Sequence, residues 1–234
     1  MIENIKGIVI NIRDYNDNDQ ILAFYSDKYG VISLISKGSR KPNAKLKYLL
    51  NTLYEVSIEY GANKSIFRII NSNELKNYIR YDESLICAFT SIFYEIIYKS
   101  KEFCNRATYD NIIFLLEHIN SSNYYLLGSI FMSHIMKIHG ISPFVDGCVV
   151  CDEKKIVSID NERGGFVCAK HCTSPSYDVQ FLKNYRIICK CTINNYEQIK
   201  DMIVDYELFN SLCQFFIYNS DMKLKTLDFF ARIK

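Results

Sequence analysis

The hydrophobic period of the chain changes near residue 82, and that change sets what the parts on either side can fold into. Before it, apolar residues come in short alternating runs. From Val9 onward, Ile10 and Ile12 face one way and Asn11 and Arg13 the other. Residues 20–25, 31–35, 53–60 and 65–70 repeat that strand length. The segments between them, residues 14–19, 26–30 and 61–64, are polar or carry a glycine. Five short strands with tight turns predict a small closed sheet, and a five-stranded OB-type β-barrel is the economical form.

After residue 82 the spacing becomes three and four. Leu85, Ile86, Phe89, Ile92, Phe93, Ile96 and Ile97 mark one face of a helix, with Asp82 as its expected N-cap. Residues 109–119 and 124–139 predict two more helices, the second ended by Gly140. A last stripe, Ile199, Met202, Ile203, Tyr206, Phe209, Leu212 and Phe216, predicts a helix over residues 197–218. The expected class is therefore α+β with more than one domain: a barrel over residues 1–80 and a helical domain over residues 81–234.

Within the helical part, residues 144–177 do not follow the helical period. Gly147, Gly164, Gly165 and Pro175 cluster there with four cysteines, just after Pro143. The cysteines read Cys148-Val-Val-Cys151, sixteen residues, then Cys168-Ala-Lys-His-Cys172. Two close pairs bridged by a short β-like stretch suit tetrahedral zinc, whereas two ordinary buried thiol pairs seldom fall in such spacing. No Trp or Pro flanks the first pair in the manner of a redox CxxC, which would also leave the second pair idle. Four sulfur ligands leave no open position, so the expected Zn2+ is structural. Cys148, Cys151, Cys168 and Cys172 are the expected ligands. His171, three residues after Cys168, is the alternative to Cys172. Cys189, Cys191, Cys87, Cys104 and Cys213 are expected to be small buried hydrophobes.

Composition removes some classes. Nine cysteines are an odd number, and the opening MIENIKGIVI has an acid at Glu3 and no sustained apolar run, so a disulfide-built secreted protein is not expected. A reducing cytoplasm is. The longest apolar stretch, residues 124–132, is broken by Gly128 and Ser129 and falls short of the ~20 residues of a membrane span. The net charge of +2 names no partner.

Local charge is more informative. Residues 37–47 carry Lys37, Arg40, Lys41, Lys45 and Lys47 and no acid, and Gly38 and Pro42 make the segment a loop. Such a loop can neutralise phosphates and release counterions. On a small barrel it would flank a single-strand groove, with Tyr25, Tyr29, Tyr48 and Tyr54 available for stacking. A merely solvated charged loop is the plain alternative. Asp14, Asp17 and Asp19 read as a solvated acidic loop rather than a Mg²⁺ site, because the rest of an EF-hand pattern is missing. There is no Walker loop, no GxSxG and no HExxH, and no constellation that predicts an enzyme.

These motifs, in this order, resemble the RecO family of bacterial recombination mediators. The likeness is carried by Gly7-Ile-Val-Ile, Arg13-Asp-Tyr, Tyr29-Gly-Val-Ile-Ser, Lys37-Gly-Ser-Arg-Lys41, Ala44-Lys-Leu and Asn73-Glu-Leu. It continues in His139-Gly-Ile-Ser-Pro143, Cys148-Val-Val-Cys151 and Gly164-Gly-Phe-Val-Cys168, and more weakly in Leu224-Lys-Thr-Leu227. The resemblance implies an N-terminal OB fold, a helical C-terminal domain with an inserted zinc module, and a function in DNA repair and recombination. It implies binding to single-stranded and double-stranded DNA, strand annealing, cooperation with RecR and the single-strand binding protein, and indirect action on RecA. It also implies a cytoplasmic, nucleoid-associated setting. Where the second pair of the family reads CxxC, this chain has CxxxC. A protein–protein adaptor is the alternative reading, in which the helical domain takes the acidic, apolar tail of the single-strand binding protein. Lys99, Lys101, Arg106 and Lys137 are its candidates by charge.

Overall fold

The computed structural model describes residues 2–44, 47–59, 66–78, 83–173 and 175–234. The expected N-cap Asp82, the turn at residues 61–64 and Lys45 lie outside them. Five strands come first: β1 (Ile2–Tyr15), β2 (Asp19–Ser26), β3 (Gly30–Ser36), β4 (Thr52–Glu59) and β5 (Phe67–Asn77). They form a closed barrel in the order β1-β2-β3-β5-β4, the Greek-key arrangement of the OB type.

β1 closes the barrel because it is long enough to pair twice. Its first half is antiparallel to β4, from Ile2 opposite Glu59 to Ile8 opposite Leu53, and its second half is antiparallel to β2. A register shift between Val9 and Asn11 lets the strand bend, and accounts for Ile8, Val9 and Ile10 all being buried in succession. The other seam is a short parallel pairing of β3 with β5, Leu34 opposite Phe67 and Ile35 opposite Arg68. Gly7 is required before the bend, since a Cβ there would lie 2.3 Å from the Tyr25 carbonyl oxygen and 2.6 Å from the Phe24 ring. Ile5, Val9, Leu22, Phe24, Leu34, Tyr48, Tyr54, Val56 and Ile58 fill the interior.

Helices follow: α1 (Ser84–Lys99), α2 (Arg106–His118), α3 (Tyr124–Ile138), α4 (Val179–Lys190), the single turn α5 (Tyr196–Ile199), α6 (Tyr206–Ser220) and α7 (Lys225–Ile233). Between α3 and α4 lies the hairpin β6 (Ile156–Asp160) and β7 (Gly165–Cys168). The chain divides into two compact units, residues 1–117 with 224–234, and residues 118–223. The strands end near the expected boundary at residue 80, but the compact unit built on them also takes in α1, α2 and α7. Specific contacts explain this. Buried Asn51, in the left-handed region at φ 58°, accepts through Oδ1 from the Thr90 hydroxyl at 2.9 Å and the Tyr94 hydroxyl at 2.6 Å, both on α1. The Tyr25 hydroxyl donates to the carbonyl of Asn105 at 2.9 Å, at the start of α2. Glu95 of α1 accepts from the backbone N–H of Lys225 and Thr226, capping α7.

In the second unit α3 packs against α6 and α4. Gly140, at φ 70°, ends α3 where expected, with the Ile141 N–H returning to the carbonyl of Met136 at 3.0 Å. Two helical expectations change. The stripe over residues 197–218 is not one helix: Asp205 caps α6 by accepting from the Leu208 N–H at 3.0 Å, and Ile203 before it is 87% exposed. α4, absent from the sequence reading, begins at a full side-chain cap. Asp178 accepts there from the N–H groups of Gln180 and Phe181. Its face of Phe181, Leu182, Tyr185, Ile188 and Cys189 is buried. Among the described residues no helix is long and apolar enough to cross a membrane.

Candidate metal centre and nucleic-acid interface

The cysteine segment folds as two turns facing each other across the β6–β7 hairpin. In the first, the Cys148 N–H donates to the carbonyl of Glu153 at 2.8 Å and the Asp152 N–H returns to the carbonyl of Cys148 at 2.9 Å. Asp152 takes a left-handed backbone, φ 58°, to complete it. The Val149 N–H ties this turn to Phe166 of β7. Gly164, at φ 84°, makes the hairpin turn, and Gly165 lies so close to the backbone of Phe144 that no Cβ fits. β7 then delivers Cys168, and the His171 N–H donates to the carbonyl of Cys168 at 3.0 Å.

That last turn brings His171 to the three thiols. Cys148, Cys151, Cys168 and His171 bring their donor atoms within 4.8 Å of one another. His171 Nδ1 is 3.5 Å from Cys148 Sγ and 3.4 Å from Cys168 Sγ, and Cys151 Sγ is 3.8 Å from Cys168 Sγ. Cys172, the expected fourth ligand, is not in this group. The one-turn return after Cys168 places the third residue on, His171, beside it, and the next one outside. Cys172 packs instead against the small apolar cluster of Cys148, Val167 and Cys168. Tetrahedral zinc with bonds of about 2.3 Å to sulfur and about 2.0–2.1 Å to nitrogen sets its ligand atoms roughly 3.5–3.8 Å apart, and these three separations lie near that range. Burial opposes ionisation of Cys148, but hydrogen bonds from the N–H groups of Cys168, Val150 and Cys151 and from His171 hold its thiol down to about 6. At Cys151 the backbone of Glu153 lowers the thiol, yet burial and the sulfurs of Cys148 and Cys168 leave it raised. Cys189 and Cys213 differ, since burial alone pushes both thiols far up.

The basic loop is also well placed but differently used. Residues 37–44 fold onto the acidic turn between β1 and β2. The Gly38 N–H donates to Asp19 Oδ1 at 2.8 Å and the Arg40 N–H to the carbonyl of Asn18 at 3.0 Å. The Arg40 guanidinium lies 3.3 Å from Asp14 Oδ2 and donates to the carbonyls of Asn16 and Asp17. So the carboxylates of Asp14 and Asp19, with the carbonyls of Asn16, Asp17 and Asn18, serve as a latch for the loop. Lys37, Lys41 and Lys47 are exposed and form no ion pair among the described residues. Three of the four stacking candidates are interior: Tyr25 and Tyr54 are wholly buried, and Tyr48 nearly so with its hydroxyl 2.8 Å from that of Ser72. Tyr29 is exposed and donates to Glu3. A groove of about 380 Å³ runs between this loop and β5, lined by Lys37, Ser39, Tyr48, Arg68, Ile70 and their neighbours, with no acid among them. Arg68 was not singled out from sequence. Its only signal was a lone cation inside an apolar run, Ile66-Phe-Arg-Ile-Ile70. Of the cations named for an adaptor role, Lys99 pairs with Glu95, Arg106 with Asp110, and Lys137 donates to the carbonyl of Cys191.

Fold and site together define an OB-barrel protein that carries a separate Cys₃His knuckle. The family model for the N-terminal part of recombination protein O matches residues 1–78. The chain is 24% identical over 192 residues to the DNA repair protein RecO of Bacillus mycoides (strain KBAB4), covering 76% of this chain and 74% of that protein. It is 25% identical over 188 residues to the DNA repair protein RecO of Bacillus cytotoxicus (strain DSM 22905 / CIP 110041 / 391-98 / NVH 391-98), again covering 76% and 74%. The chain is thus similar to RecO proteins over three quarters of its length, and its first 78 residues match the recombination protein O N-terminal model.

Proposed function

We propose that the chain is a non-enzymatic mediator of DNA repair and homologous recombination that binds and anneals single-stranded DNA. With RecR, it would help load RecA onto strands coated by single-strand binding protein. The observation that carries this is the latched basic loop on a closed OB barrel, beside a groove free of acids. Holding the loop in one conformation beforehand reduces what ordering it on DNA would cost. Duplex DNA would be bound through the same cations, by charge alone. The zinc ion would be held by Cys148, Cys151, Cys168 and His171 and would supply cross-linking of the two turns. Annealing of complementary oligonucleotides, with metal content measured on the same sample, tests the reading. Charge reversal at Lys37 and Lys41 is expected to slow annealing and flatten its salt dependence, and an unchanged salt slope would remove the loop from the function.

A second reading, an adaptor for repair partners, is supported by one surface of residues 145–186. A groove of about 240 Å³ has Val145, Ile156, Phe166 and Leu182 in its walls with Lys183 beside them, and Lys154 and Arg186 there are bonded to Asp146, which also lines it. An acidic, apolar peptide tail, such as that of the single-strand binding protein, suits this surface. Titration with such a peptide, against one with its acids amidated, separates this reading from the first.

A further inference from the structure

We propose that the groove between the basic loop and β5 seats one nucleotide of single-stranded DNA, with Lys37 and Arg68 on the phosphate and Ile70 beneath the base. Arg40 is a positioning residue that does not touch DNA. This rests on the reading of the barrel as a single-strand binder and names the place on it.

Three observations carry the placement. The first is charge. The groove contributes Lys37 from one wall and Arg68 from the other, and none of its lining residues is acidic. In contrast, the groove beside Lys101 and Arg106 also contains Asp27 and Glu102, and the one beside Arg186 contains Asp146. Arg68 is exposed and appears in no ion pair or hydrogen bond among the described residues, so its five donors are not already used. The second is shape. At about 380 Å³ the groove lies in the low part of the ~300–1,000 Å³ range of sites for small ligands. Its floor includes the Tyr48–Ser72 hydroxyl pair, and Ile70 on its wall is 48% exposed. With Tyr25, Tyr48 and Tyr54 committed to the interior, an apolar face and a planar guanidinium are what this groove offers a base.

The third is the state of Arg40. Its guanidinium is already shared among the Asp14 carboxylate and the carbonyls of Asn16 and Asp17. A phosphate would have to compete with the Asp14 carboxylate and two carbonyls for that charge. The same turn holds Gly38 through Asp19. Arg40 therefore spends its charge on setting the loop that presents Lys37.

The test is fluorescence anisotropy of a labelled oligothymidylate with the full chain, over a salt series, for wild type, Lys37→Ala, Arg68→Ala, Arg68→Lys and Arg40→Ala. Each lost phosphate contact should reduce the slope of log K against log salt by about 0.7. Lys37→Ala and Arg68→Ala are expected to show that loss and weaker binding. Arg68→Lys should keep the slope. Arg40→Ala should bind more weakly with the wild-type slope, and should speed amide exchange at Gly38 without DNA, as Asp14→Asn should. An abasic strand should bind wild type several-fold more weakly than its parent, and Ile70→Ser should shrink that difference. If wild type binds but Arg68→Ala keeps both affinity and slope, the groove assignment is overturned while the single-strand reading stands. If wild type does not bind the strand, both fall. A slope lost in Arg40→Ala would overturn its positioning role. Far-UV circular dichroism of each variant reports folding, and Arg68→Lys retains a readout should Arg68→Ala lose structure.

Discussion

The barrel and the cysteine segment hold themselves together by different means. Nine buried side chains, from Ile5 to Ile58, fill the barrel, and every strand is paired on both edges. The cysteine segment has a buried cluster of Cys148, Val167 and Cys168, with Val149, Ile156 and Cys172 partly buried against it, and a single two-stranded hairpin. The segment also buries Val145, Ile159 and Phe166, the last against Tyr185 of α4, but the cluster around its cysteines is small beside the barrel's. The difference teaches that the barrel is held by a closed apolar core, whereas the cysteine segment gathers Cys148, Cys151, Cys168 and His171 where a core would otherwise be.

Metal removal is the strongest way to break that comparison. Structural zinc in comparable small modules contributes roughly 10–16 kcal/mol. A tight chelator is expected to expose residues 144–177 to protease while leaving barrel peptides protected, read by mass spectrometry. His171→Ala should lose the metal and Cys172→Ser should keep it; the opposite pattern would restore Cys172 as fourth ligand.

Next in size is Phe24→Ala, which opens a cavity in the barrel and should cost about 3–5 kcal/mol by chemical denaturation. Metal content is expected to stay at the wild-type level, since the module does not draw on that core. Asn51→Ala is smaller. It leaves the buried Thr90 and Tyr94 hydroxyls without their shared acceptor, about 1–3 kcal/mol, and puts a Cβ-bearing residue without a polar side chain at φ 58°. It should loosen α1 from the barrel, seen as faster amide exchange in α1 than in β4.

The smallest effect is at Glu95. Burial raises its carboxyl, but Lys99, the Thr226 hydroxyl and the N–H groups of Thr226 and Lys225 outweigh that and hold it below the usual range. Its folded value is depressed, so its stabilising contribution is present above the unfolded carboxylate value and is lost as pH falls through the folded one. Glu95→Gln is expected to cost about 1 kcal/mol at neutral pH, the scale of a helix cap, and to reduce the acid sensitivity of thermal melting. Equal acid sensitivity in both proteins would remove Glu95 from that role.

Much of this molecule was legible before any coordinates. The strand runs at residues 20–25 and 31–35 sit inside β2 and β3, and the run at 53–60 sits inside β4 as far as Glu59, residue 60 lying outside the described residues, because alternation reports a sheet with one wet face. The stripe from Leu85 to Ile97 lies within α1, and Gly140 does end α3. Legibility failed where local signals overlap. α4 was hidden because its apolar face is interrupted by Lys183, Asn184 and Arg186, and its decisive signal is the cap at Asp178. The stripe through Ile203 misled because apolar spacing carries no information on where the backbone stops being helical.

The sequence by itself determined the barrel's strand pattern, the presence of a cysteine knuckle and the location of a basic loop. Each depends on residues close together in the chain. Only the tertiary structure decided that His171 and not Cys172 joins the three thiols, because one hydrogen-bonded turn after Cys168 selects which residue faces inward. Only it decided that Arg40 is latched to Asp14 and that Arg68, some thirty residues along the chain from Lys37, shares a groove with it. Charge can be read from letters, but whether a charge is already spent depends on what the fold brings within about 3–4 Å of it.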